Sequence, residues 1–511
     1  MAVGRTRAVA LLGLQGAVVE VEAHIGSTLP GIVLIGLPDA SLNEARQRVQ
    51  AAITNSGMDF PTRKVTVNLS PAALPKHGSG FDLGIALAIL VAAGYVAAEA
   101  IERVVHLGEL GLDGRLRPIN GILPAVMAAS KAGYPTVLVP VGNADEASLV
   151  PGIRVVGLAS LRDAAIWHGA ELEPEVVEPI LRAAVMQPAI DDGDLADVIG
   201  NDDAVGAMLV AAAGGHHVLL LGPPGAGKTM LASRLPGLLP NLDADAALEV
   251  SSVRSLSGLP VGTVLQTRPP FEQPHHTATA AALVGGGSGV IRPGAASRAS
   301  RGVLFLDEAP EFNMAVLDAL RQPLESGTIS VHRANAVAHF PGAFQLVMAA
   351  NPCPCGQYGA RDSDCVCSPT IRRRYLGRLS GPLLDRIDIQ LRVNRITSAQ
   401  LRLANESPRL GTADARARVV AARARALDRL ASTPWTLNSQ VPGAWLRGQA
   451  VRLPHETTAS IDRALERGGI TMRGYDRVLR VAWTLADLDA VDRPGPDHVG
   501  RALYFRKALF S

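Results

Sequence analysis

The chain has 511 residues but only four cysteines, and all four fall between positions 353 and 367. Thiols so few and so tightly bunched exclude a disulfide framework spread through the fold. Long apolar runs are also missing: none approaches the ~20 residues that a membrane-spanning helix needs. The best candidate, 83–98, is too short and carries Gly84 and Gly94. Charge of one sign is scarce as well, with a formal net charge of +2, so overall electrostatics point to no particular partner. Arg5 and Arg7 precede an apolar stretch, as in a signal peptide, but Glu20 and Glu22 follow in an alternating V-V-E-V-E pattern that reads as a strand. Charged residues at 19% and hydrophobic ones at 48% exclude global disorder and allow a sizeable core. The expectation is a soluble, cytoplasmic protein of about three domains, without membrane contact.

What is present is organised around Gly222, Pro223, Pro224, Gly225, Ala226, Gly227, Lys228 and Thr229. These residues satisfy the phosphate-loop pattern G-x-x-x-x-G-K-[ST] in full. His217–Leu221 before them reads as a short buried strand, and Thr229 onward as a helix start. A glycine loop turns backbone N–H groups inward around an anion, and the helix N-terminus adds its positive dipole end. Lys228 is expected on the β- and γ-phosphates of ATP, and Thr229 on Mg²⁺.

About 80 residues on, Gly302–Leu306 is an apolar strand that ends in Asp307 and Glu308, a Walker B pattern. Asp307 would hold Mg²⁺ through water, and Glu308 would orient and deprotonate the attacking water. Phe344–Ala350 is a third buried strand, with Asn351 at its C-terminal end. Active residues of open α/β sheets gather there. Asn351 is therefore expected to reach the γ-phosphate or the attacking water.

Residues 1–170 alternate strand-like runs (8–12, 18–23, 31–35, 64–68) with helical ones (40–56, 81–93, 122–132), an α+β pattern. Residues 171–194, rich in proline and acidic side chains, read as a linker. Cys353, Cys355, Cys365 and Cys367 form a compact four-thiol set. Tetrahedral Zn²⁺ needs four such ligands; reduced thiols or a redox clip are the alternatives. Residues 328–340 alternate in period two around a turn and read as a β-hairpin, with His332 and Arg333 near its tip. That hairpin is either a phosphate-contacting loop or purely structural. His275 and His276 read as a tight turn beside the sheet rather than a metal site. The helical stretch 412–430 carries Arg416, Arg418, Arg423, Arg425 and Arg429. It offers either a basic surface for nucleic acid or a solvated face.

Several of these segments are familiar. Residues 65–83 and 108–119 resemble the peptidase domain of Lon-type proteases (the ribosomal S5 domain 2-like fold). The resemblance places Asp82 near the serine nucleophile and Leu123 at the lysine base. A leucine cannot act as base, and Ser79 has only Lys76 as a close lysine, so a non-proteolytic scaffold is expected. The runs PFEQPHHT (270–277), GGG (285–287), GVLFLDEAPEF (302–312), LRQPLESG (320–327), NPCPCG (351–356) and SGPLLDRID (380–388) resemble the YifB/ComM family of magnesium-chelatase-like AAA+ ATPases. Glu272 stands where the family usually has arginine.

The resemblance spans essentially the whole chain. It implies a Lon-like region at 1–170, the linker at 171–194, an AAA+ core at 195–395 with a four-cysteine insertion at 353–367, and a helical lid at 396–511. The lead-in Asp194–Asn201 would then lie beside the adenine pocket. Arg386 is identified as the arginine finger that enters a neighbour's site, with Arg378 and Arg372–Arg374 as surface or nucleic-acid contacts. Arg473 takes the sensor 2 position, on the γ-phosphate. The implied assembly is a homohexamer. The implied activity is an ATP-driven motor on single-stranded or branched DNA, promoting branch migration or unwinding during recombination or DNA uptake. A Lon-like protein remodeller is the alternative. A metal-chelatase motor ranks last, since no integrin-like docking domain follows the core.

Overall fold

The structure is a computed structural model. It describes residues 3–506 apart from 28–29, 37–39, 73, 75, 77, 183–192, 288–290, 334–335, 360–364 and 404–408. Part of the expected linker, the tip of the hairpin and the middle of the cysteine insertion therefore lie outside the described residues.

The first 170 residues build a seven-stranded mixed sheet. Its strands run in the order 31–35, 64–70, 15–25, 3–12, 104–106, 136–140 and 154–158. Val3–Leu12 and Gln15–Ile25 form an antiparallel hairpin in full register, Val3 opposite His24 and Leu12 opposite Gln15. On the strand Lys64–Ser70, Val65, Val67 and Leu69 point inward and the residues between them outward, the period-two alternation of a half-buried strand. The helix Asp82–Ala93 is buried along nearly its whole length beneath this sheet. It ends where Gly94 takes a left-handed conformation, φ 88°, which glycine adopts without steric cost.

The second sheet has five parallel strands in the order 271–272, 303–306, 345–350, 218–221 and 389–392. Val218–Leu221, Val303–Leu306 and Gln345–Ala350 are buried at every position. Runs of this kind are characteristic of parallel strands covered on both faces. The phosphate-loop strand lies at the interior of the sheet, so the loop leaves it beside the ends of its neighbours.

Beyond residue 396 the chain is helical. Helix Thr412–Leu430 buries Ala415, Val419, Ala422, Ala426 and Leu430, a single stripe at helical spacing. Helix Met472–Leu488 packs on it, and Pro496–Tyr504 packs on that helix in turn. The lead-in docks here: Asp194 Oδ1 accepts from Thr412 N at 2.9 Å, and Leu195 N donates to Thr412 Oγ1 at 2.8 Å.

The two sheets are joined through helices. Ile122–Lys131 packs against Ala244–Leu256. Gly121 N donates to Ser255 O at 3.0 Å, and Leu123 N to Ser255 Oγ at 3.3 Å. Leu123 is buried with Val126, Ala129 and Val139. The position that the resemblance to Lon gives to the lysine base is thus a packing contact between the two halves.

Candidate nucleotide site

Gly225 and Gly227 of the phosphate loop both have positive φ, 75° and 89°, and Lys228 opens the helix that runs to Leu238. This geometry turns successive N–H groups toward one concavity. The cleft they bound has a volume of about 390 Å³. Gly225–Met230, Asp307, Glu308 and Asn351 line it.

Lys228 is buried, and burial lowers its pKa from the ordinary lysine value. Its Nζ donates to Gly222 O at 2.6 Å, Pro223 O at 3.0 Å and Asn351 Oδ1 at 3.0 Å. Thr229 Oγ1 donates to Asp307 Oδ2 at 2.8 Å. The hydroxyl and the carboxylate expected around Mg²⁺ therefore already face one another. Asp307 Oδ1 accepts from the backbone N of Glu308 at 2.9 Å. Glu308 itself sits at φ 51°, ψ 42°, a left-handed conformation unfavourable for a glutamate. Residues held this way cost about 1–3 kcal/mol and cluster at functional sites.

One residue at this site was read from the sequence only as part of a turn, and another was not singled out. His276 Nδ1 lies 3.5 Å from Glu308 Oε2. The turn 273–277 does sit beside the sheet, but it also carries a ring to the Walker B carboxylate. Arg395 Nε donates to Pro224 O at 3.1 Å. Nothing in the local pattern marks Arg395, because sheet order alone brings it to the loop.

The two expected arginines lie elsewhere. Neither Arg386 nor Arg473 lines the cleft of its own chain. Arg386 donates to Pro382 O at 2.5 Å and pairs with Glu325. Arg473 is mostly exposed, 3.6 Å from Asp385. The structure thus places the sensor 2 candidate beside the residue preceding Arg386 rather than on the protomer's own phosphate loop.

Three other expectations need correction or refinement. The arginines of helix 412–430 do not form one broad free surface. Arg423 donates twice to Ala212 O, at 3.0 and 2.6 Å, and burial lowers its pKa to about 10. Arg429 pairs with Asp487 and donates to Asn438 Oδ1 at 2.8 Å, while Arg425 donates to Asp487 O at 2.8 Å. Arg416 donates to Asn241 Oδ1 at 2.6 Å. Arg418 stays exposed. The hairpin is present as Thr328–Arg333 and Ala336–Pro341. Its base is core: Ile329, Ala338 and Phe340 are buried, with Leu11, Leu12 and Leu14 packed against the same cluster. His332 and Arg333 are exposed. Glu272, at the departure from the family pattern, pairs with Arg298 at 2.9 Å.

Peptidase chemistry has no support in the first sheet. Asp82 is fully buried and bonded to Arg48 at 2.8 Å. Lys76 Nζ donates to the carbonyls of Gly36 and Pro71, and Ser79 bonds to Glu109. Among these described contacts no lysine meets the serine.

The four cysteines converge. Their sulfur atoms all lie within 4.8 Å of one another. Cys353 Sγ is 3.3 Å from Cys355 Sγ and 3.8 Å from Cys365 Sγ, and Cys355 and Cys365 are 3.7 Å apart. Four thiolates at ~2.3 Å from one zinc ion would stand about 3.8 Å apart. The Gln357 N–H and then Cys353 draw the Cys355 thiol down to about 6. The donor set fits a metal ion.

A parallel sheet whose strands end in a phosphate loop, an Asp-Glu pair and a polar asparagine defines a nucleotide-binding protein of phosphate-loop type. Three family models match the chain in succession: "Subunit ChlI of Mg-chelatase" over residues 21–143, "Magnesium chelatase, subunit ChlI" over 194–401, and "Magnesium chelatase, subunit ChlI C-terminal" over 410–506. A Mycobacterium tuberculosis protein is 49% identical over 99% of both chains. Competence protein ComM of Haemophilus influenzae is 40% identical, covering 97% of this chain and 96% of ComM. Escherichia coli YifB is 38% identical with the same coverage. Part of the chain, 34%, is 29% identical to Lon protease of Mycolicibacterium smegmatis, of which it covers 23%. The chain belongs to the YifB/ComM family of magnesium-chelatase-like AAA+ ATPases. Among the described residues, no helix is long and apolar enough to cross a membrane.

Proposed function

We propose that this protein is a cytoplasmic ATPase motor that acts on DNA as a homohexameric ring, driving branch migration or unwinding during recombination or DNA uptake. One observation supports the ring: Arg386 and Arg473 both lie outside their own chain's cleft, with Arg473 3.6 Å from Asp385, the residue before Arg386. Similarity over nearly full length to a competence protein supports DNA as the track.

In the proposed cycle ATP·Mg²⁺ binds with its phosphates over Gly225–Thr229. Lys228 exchanges its carbonyl partners for phosphoryl oxygens. Thr229 and Asp307 hold Mg²⁺, Glu308 takes the proton of the attacking water, and Asn351 orients that water. Arg386, and with it Arg473, meets the charge that develops at the neighbour's γ-phosphate. His332 and Arg333, near the tip of the hairpin, contact the DNA backbone. The four thiolates hold a structural zinc ion.

The ATPase rate with single-stranded, duplex and forked DNA tests this reading. Stimulation by DNA, greatest with a fork, is expected. A rate indifferent to all three, together with stimulation by an unfolded protein, would favour a protein remodeller instead.

A further inference from the structure

The cysteine cluster and the phosphate loop touch each other. Gly356 follows Cys355 directly, and its N–H donates to Cys353 O at 2.9 Å, closing the Cys353–Gly356 turn. Gly356 has φ 75°, and a Cβ there would lie 2.6 Å from Pro224 Cδ and 2.7 Å from Pro224 Cγ. The turn is thus seated on the ring of Pro224 with no room for a side chain between them.

Pro224 is held from another side as well, since its carbonyl accepts from Arg395 at 3.1 Å. It immediately precedes Gly225, Ala226 and Gly227, whose backbone lines the phosphate cleft. Asn351, two residues before Cys353, accepts from Lys228 at 3.0 Å. One segment of six residues, 351–356, therefore reaches both the front of the loop and its lysine.

We propose that zinc bound by Cys353, Cys355, Cys365 and Cys367 sets the position of the phosphate loop through the Gly356–Pro224 contact, so that ATP affinity depends on the metal. This rests on the reading that the four thiolates hold zinc. Cys353 and Cys355 lie at one end of the insertion, and Cys365 and Cys367 at the other. A metal ion ties the two ends together and makes the turn a rigid seat. Without it, four sulfurs as close as 3.3 Å lose their common partner, and the turn is free to leave the Pro224 ring. Coupling of this kind is reciprocal: bound nucleotide must also retain the zinc.

The test uses the full-length protein. Metal analysis is expected to find about one zinc per chain, and Cys365→Ser to lose it. Stripping zinc with a mercurial and a chelator should weaken binding of a fluorescent ATP analogue by roughly 5- to 150-fold, the usual span of such coupling. Restoring the thiols and the zinc should recover it. Gly356→Val should retain zinc and the far-UV circular dichroism yet lose comparable affinity. In the wild type, ATP should slow the release of zinc to a chelating dye by a similar factor.

A protein that neither carries zinc nor takes it up overturns the metal reading. A protein with its zinc, whose affinity is unchanged both by stripping and in Gly356→Val, overturns the coupling alone. Should either variant fail to fold, the wild-type release rate with and without ATP decides: equal rates overturn the coupling.

Discussion

Lys228 Nζ stands 3.0 Å from Asn351 Oδ1, so the phosphate-loop lysine and the asparagine at the end of a neighbouring strand form one hydrogen-bonded unit. The lysine also donates to two loop carbonyls. ATP must therefore replace three neutral acceptors by phosphoryl oxygens, a trade that charge-assisted bonding favours. Lys228→Ala should weaken ATP binding by at least ~2 kcal/mol, roughly thirtyfold. Asn351→Ala should bind nearly normally and turn over slowly. Calorimetric titration with ATP·Mg²⁺ separates the two, and equal ATP affinity in wild type and Lys228→Ala would remove the lysine from the site.

Glu308 combines a left-handed backbone with a histidine 3.5 Å from its carboxylate. Glu308→Gln should keep ATP binding and lose turnover by about 10²–10⁴-fold, the usual worth of a general base. His276→Ala should lower kcat by roughly fivefold, about 1 kcal/mol for one lost polar contact with the carboxylate, while KM stays put. A His276→Ala enzyme changed only in KM would mean that the ring serves binding and not Glu308.

Arg386 is paired with Glu325 in the single chain. Delivery to a neighbour requires that pair to open. Arg386→Ala should bind ATP and lose about 10³–10⁵ in rate, and mixing it with Lys228→Ala should restore partial turnover where intact residues meet across an interface. Glu325→Gln should raise turnover at low protein concentration, because the finger no longer has a competing partner. Normal hydrolysis by Arg386→Ala, or no rescue on mixing, would end the finger assignment.

Acid should destabilise the fold through buried histidines. Burial drives the His217 pKa down to about 4, and its Nδ1 accepts from Leu346 N at 3.0 Å. His106 and His168, 3.0 Å apart, are likewise lowered by burial. A histidine kept neutral in the fold leaves the unfolded chain binding more protons below pH 6.5. Stability is then full above pH 6.5 and falls as pH drops toward 4, by up to about 3 kcal/mol from His217. Urea titrations at pH 7.5 and 5 check this, and His217→Gln should shrink the difference.

The loop, the Asp-Glu strand and Asn351 were legible because each is a contiguous run whose chemistry repeats its geometry. In the first half the runs 31–35, 40–56, 81–93 and 122–132 match the observed elements closely, because their periodicity is clean, whereas the strands 104–106, 136–140 and 154–158 were not read from the sequence. The arginines of helix 412–430 were not. Sequence shows their spacing but not that Ala212 O and Asp487 lie within reach of them. Arg395 and the Glu308 contact of His276 escaped for the same reason: each depends on a neighbour far away in the chain. The hairpin was visible, but its buried base was not, because its packing partners are Leu11, Leu12 and Leu14.

Leu123 carries a consequence for reversibility. A lysine there would have to leave a core formed with Val126 and Ala129, beneath a helix whose Ser255 holds the Leu123 backbone. Its would-be nucleophile position, Asp82, is tied to Arg48. A chain setting out from here toward peptide cleavage would need a new base, a new nucleophile and a discharged Arg48 together. A lysine at 123 would also bury a charge where the two sheets are joined, so the residue that closes the first sheet to peptide chemistry is the one that couples it to the phosphate-loop half.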